Sequence, residues 1–341
     1  MTKPDTPYQR LTAAAAQVTI DATYDDLVVQ ADVQGLRELV ERNRDVLVNA
    51  RTHLGPECCV PLVNERDFFA NNSNNIVYLR DLGRLFRAEG ILAGFEKRYE
   101  DAAQVGLDLL QLSNATSRGG LKVDHMTSWM ITLQGIDVIR RWRTAYEATF
   151  CSRLLAAVLT LDAQRDSWEV VVQRDREWEI AVDYEEEPTD WSEAELSDED
   201  KAKMSAEEIA DYEAMIEDAQ NMSDDERVEM NDLCENRHIC VMRLLMVDLA
   251  IRVYQGMTES YPETLEQLVP GVLETVPLDP FTQDDFIYQP MLIVPRRADD
   301  FLLYSPGPSQ HDHGATFGPF PAVAAGVADL CLDEPDYWGN T

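Results

Sequence analysis

Positive charge is what this chain has least of. Only 29 lysines and arginines stand against 63 aspartates and glutamates, a formal net charge of −34 over 341 residues and a pI near 4.3. A surface this negative repels phosphate backbones and anionic head groups, so no nucleic-acid or membrane-surface role is expected, and basic proteins or divalent cations remain as partners. The same excess also fits a solubility or salt adaptation. Long hydrophobic runs are missing as well. The most apolar window, Ile239 to Tyr254, carries Arg243, Asp248 and Arg252, which makes it a buried helix rather than a membrane span. The first residues, MTKPDTPYQRLTAAAAQVTID, hold no apolar core of the kind a signal peptide needs. That predicts a cytoplasmic protein, or an envelope-associated one if an earlier start hides a leader.

Catalytic punctuation is absent too. The chain has no nucleophile elbow, phosphate-binding Walker loop, dinucleotide fingerprint or zinc-protease helix. Six cysteines, Cys58, Cys59, Cys151, Cys234, Cys240 and Cys331, follow neither metal-knuckle nor redox spacing and read as reduced, buried small residues. The adjacent pair Cys58-Cys59 alone leaves a metal or a vicinal disulfide open. His53, His125 and His238 fall singly in helical segments and read as structural or surface residues. The tryptophans and tyrosines read as core, with a groove lining as the alternative.

What is present is mostly helical pattern. The length favours two packed units. Leu36, Leu39, Val40, Val46, Leu47 and Leu54 share one face of a helix from about Asp32 that Gly55-Pro56 ends. Asn71-Asn72-Ser73-Asn74-Asn75 reads as a loop, after which Ile76, Leu79, Leu82, Leu85 and Phe86 begin another apolar face. Residues 87–114 form a helical hairpin broken near Lys97 to Tyr99, and through Gly90, Tyr99, Ala102 and Ala103 it resembles a single tetratricopeptide-like unit. Beyond Gly119-Gly120 come helices at about 123–142, 145–161 and 163–182. Residues 1–182 are thus expected to be an antiparallel helical bundle or irregular solenoid.

Between Asp183 and Glu235, 22 acidic residues face only Lys201, Lys203 and Arg227, a net of −19. Three capping boxes, Ser192 to Glu195, Ser205 to Glu208 and Ser223 to Glu226, turn this stretch into a linker of short helices over 183–223. The last of them grows into the apolar helix ending near Gln255-Gly256. The run is either a solvated face or a docking surface for a basic partner.

After Gly256 the text becomes strand and turn. Pro262 suits the start of a short helix that buries Leu265 and Leu268, and Pro270, Pro277 and Pro280 keep the chain extended. Residues 286–294 and 300–305 then read as an antiparallel pair about Arg296-Arg297-Ala298-Asp299. Tyr261-Pro262, Leu265, Leu268, Asp279-Pro280-Phe281, Tyr288, Phe301-Leu302-Leu303-Tyr304-Ser305 and Gly307 together resemble the C-terminal part of the type II secretion major pseudopilin and its type IV pilin-like relatives. The resemblance covers about 100 residues. It implies that the helix from Asp224 to Gln255 packs on a small antiparallel sheet over 224–320, with a tail at 321–341. The fold class expected is α+β, mainly α. The family's prepilin cleavage site and charge-free helix are missing at both Met1 and Asp224, so the resemblance implies the folded head, reused as a module.

The resemblance also implies calcium binding by the loop from Ser305 to Gly314, with Asp312 as the carried-over ligand. His311 and His313 project the same way in an extended chain, so His311-Asp312-His313 alternatively suits a transition metal or a plain polar turn. The function expected is that of a non-enzymatic interaction or scaffold protein with a pseudopilin-like head, related to secretion or envelope assembly. The alternatives are a metal-dependent hydrolase using His311, Asp312 and His313, and a calcium-stabilised structural protein.

Overall fold

The computed structural model describes residues 6–20, 24–183, 220–290 and 301–333. The capping boxes at Ser192 and Ser205, most of the acidic linker, the turn at 296–299 and the end of the tail lie outside these residues. Within them the chain is mainly helical, with a three-stranded antiparallel sheet near its end.

Four short helices come first: α1 (Pro7–Ala15), α2 (Tyr24–Val29), α3 (Val33–Arg42) and α4 (Arg44–Arg51). Thr6 opens α1 through a capping box with Gln9, and Pro7 follows at the position where its missing N–H costs nothing. The single helix expected from Asp32 is divided at Asn43. The side-chain amide of Asn43 donates to the Leu39 and Thr19 carbonyls, and its oxygen accepts from the Thr19 N–H. The buried amide thus satisfies an extended segment in place of continuing a straight helix.

The centre of the molecule is a trio of long helices, α5 (Phe68–Phe95), α6 (Tyr99–Ser117) and α7 (Lys122–Trp142). The asparagine run expected to be a loop lies inside α5. Asn72 is buried there, donating to Asp124 Oδ1 of α7 at 2.8 Å, and its own oxygen accepts from Asn75. A partner from another helix overrides the local preference for a turn. The break at Lys97 falls where expected, with Lys97 at φ 61°. Glycines let the trio close up. A Cβ on Gly94 would stand 2.0 Å from the Trp142 ring, and one on Gly106 would stand 2.5 Å from Ile139.

Beyond α7 come α8 (Ala148–Ala163) and α9 (Trp168–Val182), and then the 35-residue α10 (Asp224–Thr258), which Ser223 and Glu226 open with the expected capping box. From Cys240 to Ile251 α10 is buried almost all round, the mark of a helix inside a core. It packs on α8, on α7 and on the sheet. Gly256 lies so close to α8 that a Cβ there would stand 2.0 Å from that of Ala148.

The sheet order is β1-β2-β3, with β1 (Ile287–Pro290), β2 (Phe301–Ser305) and β3 (Leu330–Cys331). Ile287 pairs with Tyr304 and Pro290 with Phe301, the antiparallel pairing expected, while β3 adds a strand the sequence did not announce. Leu265 and Leu268 are buried as expected, but on one 3-10 turn (Leu265–Leu268) that starts beyond Pro262. The Tyr288 hydroxyl donates to the Pro262 carbonyl at 2.8 Å, and the Tyr261 and Tyr288 rings both pack at a tilt against Phe301. A last short helix, α11 (Phe320–Ala324), precedes β3.

Two hydrophobic cores result. One joins α1, α3, α4 and the outer faces of α5, α6 and α7, and the other joins α8, α10, the sheet and the inner faces of α6 and α7. They meet along α6 and α7, inside the stretch 1–182 that the sequence treats as one unit. No helix among the described residues is long and apolar enough to cross a membrane.

Candidate functional site

The loop singled out from the sequence follows β2. Asp312 is exposed, and its Oδ1 accepts from the Tyr304 hydroxyl at 2.9 Å and from the Gly314 N–H at 2.7 Å. The His311 and His313 rings meet edge to face with centroids 5.1 Å apart, and His313 Nε2 stands 3.3 Å from Ser309 Oγ. The loop is organised from below by Asp329, fully buried, whose carboxylate accepts from the His313 and Thr316 N–H groups. Among the described residues no group of three or more histidine, cysteine, aspartate or glutamate side chains is placed to hold a metal ion. The cysteines are all free: Cys58, Cys151, Cys240 and Cys331 are buried, whereas Cys59 is exposed and Cys234 half-buried.

The structure brings together a different set. His125 on α7 and His238 on α10, read from the sequence as isolated, both reach Glu235 of α10. His125 Nε2 donates to Glu235 Oε2 at 3.2 Å, His238 Nδ1 stands 3.4 Å from the same oxygen, and the Trp129 indole N–H donates to it at 2.6 Å. Arg165 closes the node on the other side, 2.6 Å from Glu235 Oε1. Trp168 stacks on His125 and donates its indole N–H to Asp232. Burial alone would raise the Glu235 carboxyl, but hydrogen bonds from both histidines and the Arg165 charge outweigh it and hold it well below the usual range. Burial also lowers His238 from its ordinary value, with Glu235 pulling the other way, so the ring is neutral at pH 7. His125 Nδ1 and His238 Nε2 are buried with no hydrogen-bond partner among the described residues.

A second buried ionic centre couples α10 to the turn after α7. Asp248 accepts from Arg252 at 2.7 Å and Arg143 at 3.1 Å, and Arg143 continues to Asp333. Burial would raise Asp248, but the two arginines together hold it below the ordinary carboxylate range. Asp137 plays the same part inside the trio, ringed by Arg87, Arg140 and Arg141.

Open space lies elsewhere. A cleft of about 410 Å³ runs between α6 and α8 beneath the turn at Leu54 to Pro56, walled by Leu54, Pro56, Leu107, Ala156, Ala157 and Leu161. A second of the same size lies between the start of α8 and the end of α10, where Arg252, Gln255 and Glu259 make it polar. No residue of the histidine node lines either cleft. The node ties α7 and α10 to the turn that follows α8, through His125, Glu235 and Arg165. Sequence reasoning missed it because its members stand 110 residues apart, and the one local signal was the Glu235–His238 spacing of one helical turn.

No protein-family model, curated protein or solved structure matches this chain.

Proposed function

We propose that this protein is a non-enzymatic interaction scaffold that docks a basic protein partner. In this reading its C-terminal sheet is a pseudopilin-like head and its setting is secretion or envelope assembly. The observation that carries the reading is how the fold sorts its charges. Arg51, Arg87, Arg143, Arg165 and Arg174 all end on carboxylates of the same chain, most of them wholly or partly buried. Basic groups are thus spent on internal fastening, and the acidic excess behind the net charge of −34 is left to act on the surroundings. Such a field attracts cationic surfaces and speeds their encounter. The pilin-like part of the reading is supported by the antiparallel β1–β2 ribbon lying on α10.

The test is chemical crosslinking of the full chain in an extract of its source cells, at low salt and at about 0.5 M salt, where charge interactions are screened beyond a few ångströms. Basic proteins crosslinked at low salt and lost at high salt are the expected result. Recovery of acidic or neutral partners only, or salt-independent recovery, overturns the reading.

A further inference from the structure

The cleft between α6 and α8 departs from the rest of the molecule in charge. Aspartate and glutamate make up 63 of the 341 residues, yet among the described residues neither lines this cleft, and the ionisable side chain they place there is Arg118. Arg118 is held by carbonyls: one guanidinium nitrogen donates to Gly55, Pro56 and Cys58, the other to Gln164. Carbonyl dipoles steady the cation but do not neutralise it. It has no ion pair within 4 Å among the described residues, and the nearby Asp166 is already taken by the Gly119 N–H and Arg174. The Glu57 carboxylate lies beside Gly55, where a Cβ would stand 2.5 Å from its Oε2, and makes no ion pair with Arg118 within 4 Å.

A trough with apolar walls at Leu54, Leu107, Ala157 and Leu161, polar groups at Gln111, Asn114, Thr160 and Gln164, and a guanidinium that carries no direct ion pair among the described residues suits a ligand with an aliphatic body and one negative end. We propose that this cleft binds a medium-chain aliphatic carboxylate, its chain lying along Leu54, Leu107, Ala157 and Leu161 and its carboxylate facing Arg118. Size selects a small molecule over a protein segment. About 410 Å³ falls within the roughly 300–1,000 Å³ of small-ligand sites, whereas a protein interface needs about 800 Å² on each side. This site is independent of the basic-partner reading, and salt separates the two. Screening weakens attachment of a basic protein to an acidic chain, but it strengthens binding of an anion that the net charge of −34 otherwise repels.

Calorimetric titration of the full chain with hexanoate, octanoate and decanoate, and with decanol and decylammonium, tests the proposal. Affinity should rise between about twofold and fourfold per added methylene, the fourfold limit corresponding to about 0.8 kcal/mol for a fully buried CH₂. Decanoate should bind more tightly than decanol or decylammonium, and more tightly still as salt is raised. Ala157→Trp, which fills the trough from the α8 surface, should weaken decanoate at least tenfold without moving the melting temperature, and Thr160→Trp serves if that variant does not fold. Arg118→Gln should erase the preference for carboxylate over alcohol. Decanol binding as tightly as decanoate, decanoate binding unchanged in the filled variants, or no binding below about 1 mM would each overturn it.

Discussion

Histidines gather in two parts of this molecule, and the contrast between them separates what a sequence motif announces from what a fold assembles. His311 and His313 are neighbours in the chain, sit on a loop, and share no acceptor with each other. His125 and His238 are 113 positions apart in the sequence, sit in the interior, and meet on one carboxylate. Adjacency in sequence produced a surface turn, whereas separation produced a buried carboxylate met by four side chains from other turns and helices. Proximity along the chain is therefore a poor guide to polar clustering when the cluster's purpose is to tie distant helices together.

That contrast can be broken most directly at Glu235. Glu235→Ala should cost about 3–5 kcal/mol in urea unfolding, because Arg165 would keep only the longer 3.7 Å contact with Asp162 and the Trp129 and histidine donors would lose their shared acceptor. Next in size is Trp129→Phe, which removes the indole donor at 2.6 Å and should cost about 1.5–3 kcal/mol, the range for a buried hydrogen bond to a charged group.

Acid should then distinguish the node further. His238 has its folded value depressed below 6.5, so the unfolded chain takes up a proton the folded one refuses, and stability falls as pH drops below about 6.5. Glu235, also depressed, contributes stability that is present above the unfolded value of 4.5 and is lost as pH falls through the folded one. Asp124 opposes both, since burial pushes it up to about 6 and its neutral form favours the folded state as pH drops from there toward 3.8. Melting temperatures between pH 7 and 5 should accordingly fall less for His238→Gln than for the wild type, and more for Asp124→Asn. Equal slopes in all three proteins would detach the node from the acid response.

The smallest effect belongs to the loop. Replacing His311 and His313 together by alanine should change stability by no more than about 0.5 kcal/mol. Calcium should leave the melting temperature unchanged, because Asp312 already spends Oδ1 on Tyr304 and Gly314. A calcium-dependent rise abolished by Asp312→Asn would bring the loop level with the node and support the calcium reading.

Much of the fold was legible where one rule acted alone. The hairpin break at Lys97, the Ser223 capping box and the β1–β2 ribbon each rest on a local signal that nothing overrides. The misreadings fall where a distant partner decides. Asn72 is helical because Asp124 satisfies its amide, and Asn43 divides a helix because Thr19 comes to it. Glu235 looked like one more acid in a run of 22, and only the arrival of α7 and Arg165 marks it out. The α6–α8 cleft was illegible for the same reason, since its lining is drawn from three segments far apart in the chain.

The position of α10 carries a practical corollary. Cys151, Leu154, Leu155, Val158 and Leu161 of α8 lie in the same core as α10, so a fragment ending near residue 182 would present that greasy stripe to water and should clump when expressed alone. The reciprocal fragment, starting near residue 224, would strip α10 of the helices that shelter it. Shortened versions for biophysical work should therefore be trimmed at the outer ends and never divided in the middle, and the two halves, if made separately, should recover native behaviour only when mixed.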